Sequence, residues 1–282
     1  MKRNSLLLAT ALLIGMTGCK NTPVQKEAWI SNALDAASYQ LKSTAEELSG
    51  TNKFPRSIHS GYDVNFLDAQ LQRENKAYID SLHPNPEALQ LGQKRLCGIA
   101  DWTSGFFPGS LWYAYELTGD EELKKRAIEY TNILNPIREL KGTHDVGFMM
   151  NCSYGNALRL APNDTIKAVL VETADNLCAR FNPEIGCIRS WDFGAWNFPV
   201  IIDNMMNLEL LLSMSKAYAD DSLQNIACTH ANTTIQHHFR DDYSTYHLVD
   251  YDPETGAVRG KQTVQGFSDD SSWSRGQAWA LY

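Results

Sequence analysis

From Ser190 to Ser213 the chain reads S-W-D-F-G-A-W-N-F-P-V-I-I-D-N-M-M-N-L-E-L-L-L-S. Trp191, Trp196 and Phe198 crowd a loop broken by Gly194 and Pro199. Pro199 marks the expected start of a helix, and from Val200 onward the residues are apolar on nearly every side, the pattern of a buried helix. Asp203 stands near the beginning of that segment. An isolated buried charge is costly, so Asp203 is a cap of the first turn, a protonated acid, or a member of a polar pocket. The stretch alone leaves all three readings open.

Outward from this segment the same pattern recurs. Residues 105–117 are apolar and aromatic, Thr118-Gly119-Asp120 is a turn with a cap, and residues 121–134 carry charges on one face only. Residues 147–160 are followed by Ala161-Pro162-Asn163-Asp164 and a helix to about residue 180. Residues 200–218 are followed by Asp220-Asp221 and a helix to about residue 239. Each unit is an aromatic loop, an apolar helix, a short polar turn and a helix with one wet face, and such repeated hairpins predict concentric inner and outer layers. The expected fold is therefore all-α, a toroid of helical hairpins with its aromatic loops gathered at one rim.

An earlier helix is expected over residues 29–48, and a short one opening at Pro86 behind Asn85. Residues 243–267 are the non-helical interval, with Asp252-Pro253-Glu254-Thr255-Gly256 as a turn signal, and are expected to form a β-hairpin or long loop over the rim. A last inner helix begins near Ser272, and the chain stops at Tyr282 within it. The expectation is one domain over residues 20–282, truncated at its C-terminal side.

Residues 1–19 read as an export leader: Lys2 and Arg3, then an apolar run from Leu6 to Met16 too short for a permanent span. Met16-Thr17-Gly18-Cys19 resembles a bacterial lipobox, so Cys19 is the expected lipidation site of an exported lipoprotein, periplasmic or outer-membrane associated and tethered to the membrane. The formal charge of −8 argues against nucleic acid as a partner. Cys97, Cys152, Cys178, Cys187 and Cys228 contain no C-x-x-C pair, neither a disulfide framework nor a zinc site.

Candidate chemistry lies at the rim. His144-Asp145-Val146-Gly147-Phe148 holds the position, one hairpin earlier, that Asp203 holds in its own. Two carboxyl groups on adjacent inner helices repel in a partly dry pocket, so one stays protonated near neutral pH while the other is ionised. Glycosidic chemistry needs such a pair. Trp102, Trp191, Trp196 and Trp273 fall in loops before inner helices, where flat rings suit the apolar faces of sugars. His230, Gln265 and Arg275 are further polar candidates, and Arg275 beside tryptophans suits a carboxylate; His230 reads equally as a hydrogen-bonded core histidine, and Arg275 equally as half of a structural ion pair. His237 and His238 are sequential and point apart on a helix, a poor shared metal site.

Taken together, Trp102-Thr103-Ser104-Gly105-Phe106-Phe107-Pro108-Gly109, His144 to Phe148, Ile202-Asp203-Asn204-Met205-Met206-Asn207-Leu208, His230-Ala231-Asn232-Thr233-Thr234 and Trp273-Ser274-Arg275-Gly276-Gln277-Ala278-Trp279 resemble the unsaturated glucuronyl hydrolases of glycoside hydrolase family 88. The resemblance covers the chain from about residue 100 to its end. It implies an (α/α)6 barrel that releases 4,5-unsaturated glucuronic acid from the non-reducing end of lyase-generated oligosaccharides by hydrating a vinyl ether. On this resemblance Asp203 is the acid and Asp145 holds substrate hydroxyls and tunes it. Trp102 stacks on the sugar, and His144, His230, Gln265, Arg275, Trp273 and Trp279 are substrate contacts, Arg275 to the uronate carboxylate. No metal or organic cofactor is implied, and the partner is an unsaturated uronate oligosaccharide. Because the family barrel uses six hairpins, the chain by itself is expected to be inactive. Three other readings remain: an unsaturated rhamnogalacturonyl hydrolase of family 105, an inverting glycosidase on the same toroid, and a tethered glycan-binding lipoprotein without catalysis.

Overall fold

A computed structural model describes residues 27–58 and 92–282. The leader with Cys19, and the helix expected at Pro86, lie outside the described residues. Helix α1 (Ala28–Glu47) leads into a two-stranded antiparallel sheet, β1 (Phe54–Ile58) with β2 (Lys94–Cys97). The hairpins follow, beginning with α2 (Phe106–Thr118) and α3 (Glu121–Ile133). Next come α4 (Val146–Met150), a π turn (Asn151–Gly155) and α5 (Asn156–Leu160), which return through α6 (Asp164–Cys178). The third pair is α7 (Asn204–Tyr218) and α8 (Asp221–His238), and α9 (Ser274–Leu281) comes last.

Burial separates the layers as the pattern requires. In α2 the buried residues include Phe107, Leu111, Trp112 and Ala114, and the Trp112 indole N–H finds Thr131 Oγ1 at 2.9 Å on the outer helix. In α3 only Leu123, Ala127, Tyr130 and Thr131 are buried, a single stripe at helical spacing. Each outer helix is capped: Asp120, Asn163 and Asp220 accept from the backbone N–H of Glu122, Ile166 and Ser222, each at 2.9 Å. A cap of this kind contributes about 1 kcal/mol. Inner helices α4 and α7 differ. Asp145 and Asp203 occupy their N-cap positions, yet neither side chain makes a capping hydrogen bond. The carboxyl groups that chain position would assign to capping are turned to something else.

One expectation is corrected here. Pro199 does not open a helix: β5 (Pro199–Ile201) is a strand, and α7 starts at Asn204. The β-branched Val200 and Ile201 suit a pleated surface, and Pro199 is tolerated because β5 lies at the edge of a three-stranded sheet ordered β5-β6-β7, with β6 (Leu248–Tyr251) and β7 (Val258–Gln262). Strands β6 and β7 form the hairpin expected over the rim, and the pairing of Ile201 with Leu248 ties it to the entry of α7. A further two-stranded pair, β3 (Phe181–Asn182) with β4 (Cys187–Ile188), underlies the same loop. The five cysteines Cys97, Cys152, Cys178, Cys187 and Cys228 are all free.

Candidate active site

Helices α4 and α7 can lie side by side because residue 147 is glycine. A Cβ there would stand 2.7 Å from both the Cβ and the carbonyl oxygen of Asn207. Asn207 Oδ1 accepts the Phe148 N–H at 2.9 Å and locks the pair. The first turns of two inner helices thus stand together, and with them Asp145 and Asp203.

Asp203 is nearly enclosed, its side chain 17% exposed. Its Oδ2 is buried without a hydrogen-bond partner among the described residues. Burial, and then the charge of Asp145, push its pKa up to about 7, against the smaller downward pull of Arg275, a backbone N–H and the Trp279 side chain. Asp203 is therefore divided between acid and carboxylate at neutral pH. Of the three sequence readings of this residue, the geometry supports the protonatable acid in a polar pocket.

Around this carboxyl group the loops converge. Asp145 receives the Thr143 hydroxyl at 3.0 Å and stands 3.3 Å from His144 Nε2. His144 is buried, and burial lowers its pKa, keeping it neutral beside Asn204. Arg275, on the first turn of α9, sits 4.3 Å from the Trp273 ring centre and 5.5 Å from that of Trp102, and donates to Gln265 Oε1 at 2.6 Å. Trp102 packs edge-on against Phe106 and Phe148. Across the site Trp191 stacks on Phe193 at 4.8 Å, and the Trp196 indole donates to Gln262 at 2.9 Å. The result is a carboxyl acid and a guanidinium set in an aromatic pocket.

His230 is not brought to this site. It is fully buried in α8, and its Nδ1 accepts the Ile188 backbone N–H at 2.9 Å, so it joins α8 to β4. The histidine beside the acid is one that sequence reasoning passed over. His247 Nε2 lies 3.6 Å from Asp203 Oδ2, and the His247 carbonyl accepts the Ile202 N–H at 2.9 Å. Because its Nδ1 accepts the Val264 N–H at 2.9 Å, the ring proton must sit on Nε2, facing Asp203. Burial pushes the His247 pKa down to about 3, so the ring is neutral and its N–H is a fixed dipole. A signal existed: in a strand expected over the rim, a lone histidine among apolar residues in Tyr246-His247-Leu248-Val249 would point at whatever the rim encloses.

A family model described as a domain of unknown function matches residues 1–73. The unsaturated glucuronyl hydrolase of Formosa agariphila is 51% identical over 185 residues, 64% of this chain and 46% of that protein. Over most of its length the chain is similar to unsaturated glucuronyl hydrolases. An unsaturated chondroitin disaccharide hydrolase from Streptococcus pyogenes is 34% identical over 225 residues, 77% of this chain and 56% of that protein. The crystal structure of an unsaturated glucuronyl hydrolase specific for heparin superposes with a TM-score of 0.76 at 42% identity, covering 90% of this chain and 60% of that one. The mostly helical α/α-barrel architecture is thus that of the unsaturated glucuronyl hydrolases, and the chain spans about half the length of the curated relatives it matches.

Proposed function

We propose that the protein hydrolyses lyase-generated oligosaccharides that begin with a 4,5-unsaturated glucuronic acid, releasing that sugar by hydration of its vinyl ether. The observation that carries this reading is Asp203, a nearly enclosed carboxyl group with a pKa of about 7 and one oxygen without a partner among the described residues. A hydrating enzyme needs an acid that is protonated at working pH and becomes a base within the same turnover.

Asp203 gives its proton to C4, and the positive charge that develops at C5 is shared with the ring oxygen. The carboxylate so formed takes a proton from water as that water bonds to C5. The resulting hemiketal opens to a C5 ketone, which leaves a hydroxyl on C1, and C1 expels the remaining sugar as an alcohol. Overall one water is consumed and Asp203 is restored. Arg275 holds the uronate carboxylate over the Trp273 and Trp102 faces, a bidentate role suited to guanidinium. Asp145 binds sugar hydroxyls, and its charge keeps the Asp203 proton on. His247 aims its Nε2–H at Asp203 Oδ2 and favours the carboxylate as it forms. The relatives point to glycosaminoglycan-derived substrates, since one is named for chondroitin disaccharides and a solved one is specific for heparin.

The test, run on the full-length protein, is the ultraviolet absorbance of the conjugated double bond in unsaturated chondroitin and heparin disaccharides, with Asp203→Asn beside the unaltered protein. Loss of absorbance that disappears in the variant supports hydration by Asp203. Constant absorbance on every disaccharide rejects the reading.

The reading extends to location: the leader and the Met16-Thr17-Gly18-Cys19 sequence support export and lipidation at Cys19. Metabolic labelling with a radioactive fatty acid should mark the protein in cells and fail for Cys19→Ser. Equal labelling of both would reject Cys19 as the site.

A further inference from the structure

Trp273 and Arg275 stand at the start of α9, a helix of eight residues with Trp273 at its N-cap and no side-chain cap. A helix that short has little stability of its own. Of its residues only Gly276 is buried, so packing within the described residues does little to place its first turn. One side of that turn rests on Ile202: a Cβ at Gly276 would stand 2.9 Å from Ile202 Cγ2. The other side is held by residues 240–245, which take no part in the proposed reaction.

Arg240 lies two residues past the end of α8. Its Nη1 donates to Ser244 Oγ at 3.1 Å and to the Thr245 carbonyl at 2.9 Å. Its Nη2 donates to the carbonyls of Asp269 and Ser271 at 2.8 and 3.2 Å. The guanidinium also lies 3.8 Å from the Tyr246 ring centre. A planar fork of donors in fixed geometry thus joins the chain after α8 to the segment that runs into Trp273.

A second tie runs beside it. Gln277, on the first turn of α9, donates through Nε2 to the Tyr243 carbonyl at 3.0 Å, and its Oε1 accepts the Thr245 hydroxyl at 3.3 Å. Tyr243 has φ +65°, a left-handed backbone unfavourable for a residue with a Cβ. Its ring is exposed, so side-chain burial does not explain that conformation. The Tyr243 N–H donates to the Arg240 carbonyl at 2.9 Å, and the Arg240 N–H to the Ser244 carbonyl at 2.8 Å, so the loop is held in the shape that receives Gln277.

We propose that Arg240 is a positioning residue for uronate binding: by holding residues 269 and 271 it fixes where Trp273 and Arg275 meet the substrate carboxylate. This rests on the hydrolase reading for the role of Arg275, and it goes beyond that reading in assigning the geometry of Arg275 to a clamp at the end of α8. Arg240 acts through backbone carbonyls, not on the sugar.

The experiment titrates an unsaturated chondroitin disaccharide calorimetrically into the full-length Asp203→Asn protein, where it is not consumed, and into the same protein carrying further changes. Arg240→Met should raise Kd about tenfold. Arg240→Lys should recover little, because one ammonium cannot reproduce a fork spanning two segments. Gln277→Leu, which cuts the second tie, should weaken binding in the same direction. In protein already carrying Arg275→Met, adding Arg240→Met should change Kd less than twofold, since the group it positions is gone. With Asp203 intact, Arg240→Met should raise KM about tenfold and lower kcat less than threefold. An unchanged Kd in Arg240→Met overturns the proposal, as does a second tenfold loss on top of Arg275→Met. If Arg240→Met does not fold, unchanged Kd values in Arg240→Lys and Gln277→Leu overturn it equally. If the protein with Asp203 intact leaves the disaccharide unconsumed while the Kd cycle holds, the hydrolase reading fails and the positioning role stands. If the disaccharide does not bind, both are overturned.

Discussion

The protonation of Asp203 should govern the rate, and the two charges nearest it should move that dependence in opposite directions. With a pKa of about 7, roughly half of the protein holds the proton at pH 7 and about one molecule in eleven at pH 8. The kcat/KM for an unsaturated disaccharide, which reports the free protein, should therefore fall about tenfold per pH unit above 7. Asp145 raises the Asp203 pKa and Arg275 lowers it. Asp145→Asn should accordingly move the alkaline limb to lower pH, and Arg275→Met should move it to higher pH, apart from any loss each causes at the optimum. Substrate binding places a carboxylate on Arg275 and buries Asp203 further, so the limb of kcat should lie at higher pH than that of kcat/KM. The assay is the initial rate of absorbance loss from pH 5 to 9 at constant ionic strength. A limb that stays in place in both variants, or that moves upward in Asp145→Asn, would refute the electrostatic argument.

Asp203→Asn should lower kcat by about 10²–10⁴-fold while the circular dichroism spectrum is retained. His247→Gln keeps a polar ring-sized group but not the fixed N–H, and should reduce kcat more than it raises KM, with the alkaline limb displaced; a pure KM effect would make His247 a substrate contact instead. Gly147→Ala puts a methyl group 2.7 Å from Asn207, and such overpacking costs about 1–3 kcal/mol, or a fall of ~2–4 °C in Tm per kcal/mol; an unchanged Tm would mean that α4 and α7 separate freely. Burial holds the pKa of His230, His238 and His247 at about 3, 4 and 3, below the ordinary 6.5. The unfolded chain takes up these protons first, so stability should decline as pH falls from 6.5 toward 3, by ~1.4 kcal/mol per histidine per pH unit. Urea midpoints that stay level between pH 7 and 5 would contradict this.

The layered hairpins were legible because helical periodicity is local. A buried helix is apolar all round and its partner is apolar on one stripe, so the chain itself reports which is inner and which is outer, as in the contrast between α2 and α3. The capped turns at Asp120, Asn163 and Asp220 are equally local. The start of α7 was less legible, because Pro199-Val200-Ile201 is apolar in either a helix or an edge strand. Only pairing with Leu248 to Asp250, half a hundred residues on in the chain, makes it β5.

The site divides along the same line. The residue types at Asp145, Asp203, Trp102, Trp273, Gln265 and Arg275, in motifs in family order, could be picked from the sequence. Which of them meet could not, since that depends on the Gly147 contact with Asn207 and on the sheet that lays β6 against the entry of α7. His230 and His247 make the point most directly. Both are buried histidines among apolar neighbours, and each spends its Nδ1 on a backbone N–H. Sequence favours the one inside a motif, but the free Nε2 of the other faces Asp203 at 3.6 Å. Sequence alone determined the alternation of inner and outer helices and the presence of a carboxyl group at the head of each of two inner ones. Tertiary structure decided that one of them is an acid with a pKa near neutrality, because desolvation and charge proximity are properties of the assembled pocket and of no residue by itself.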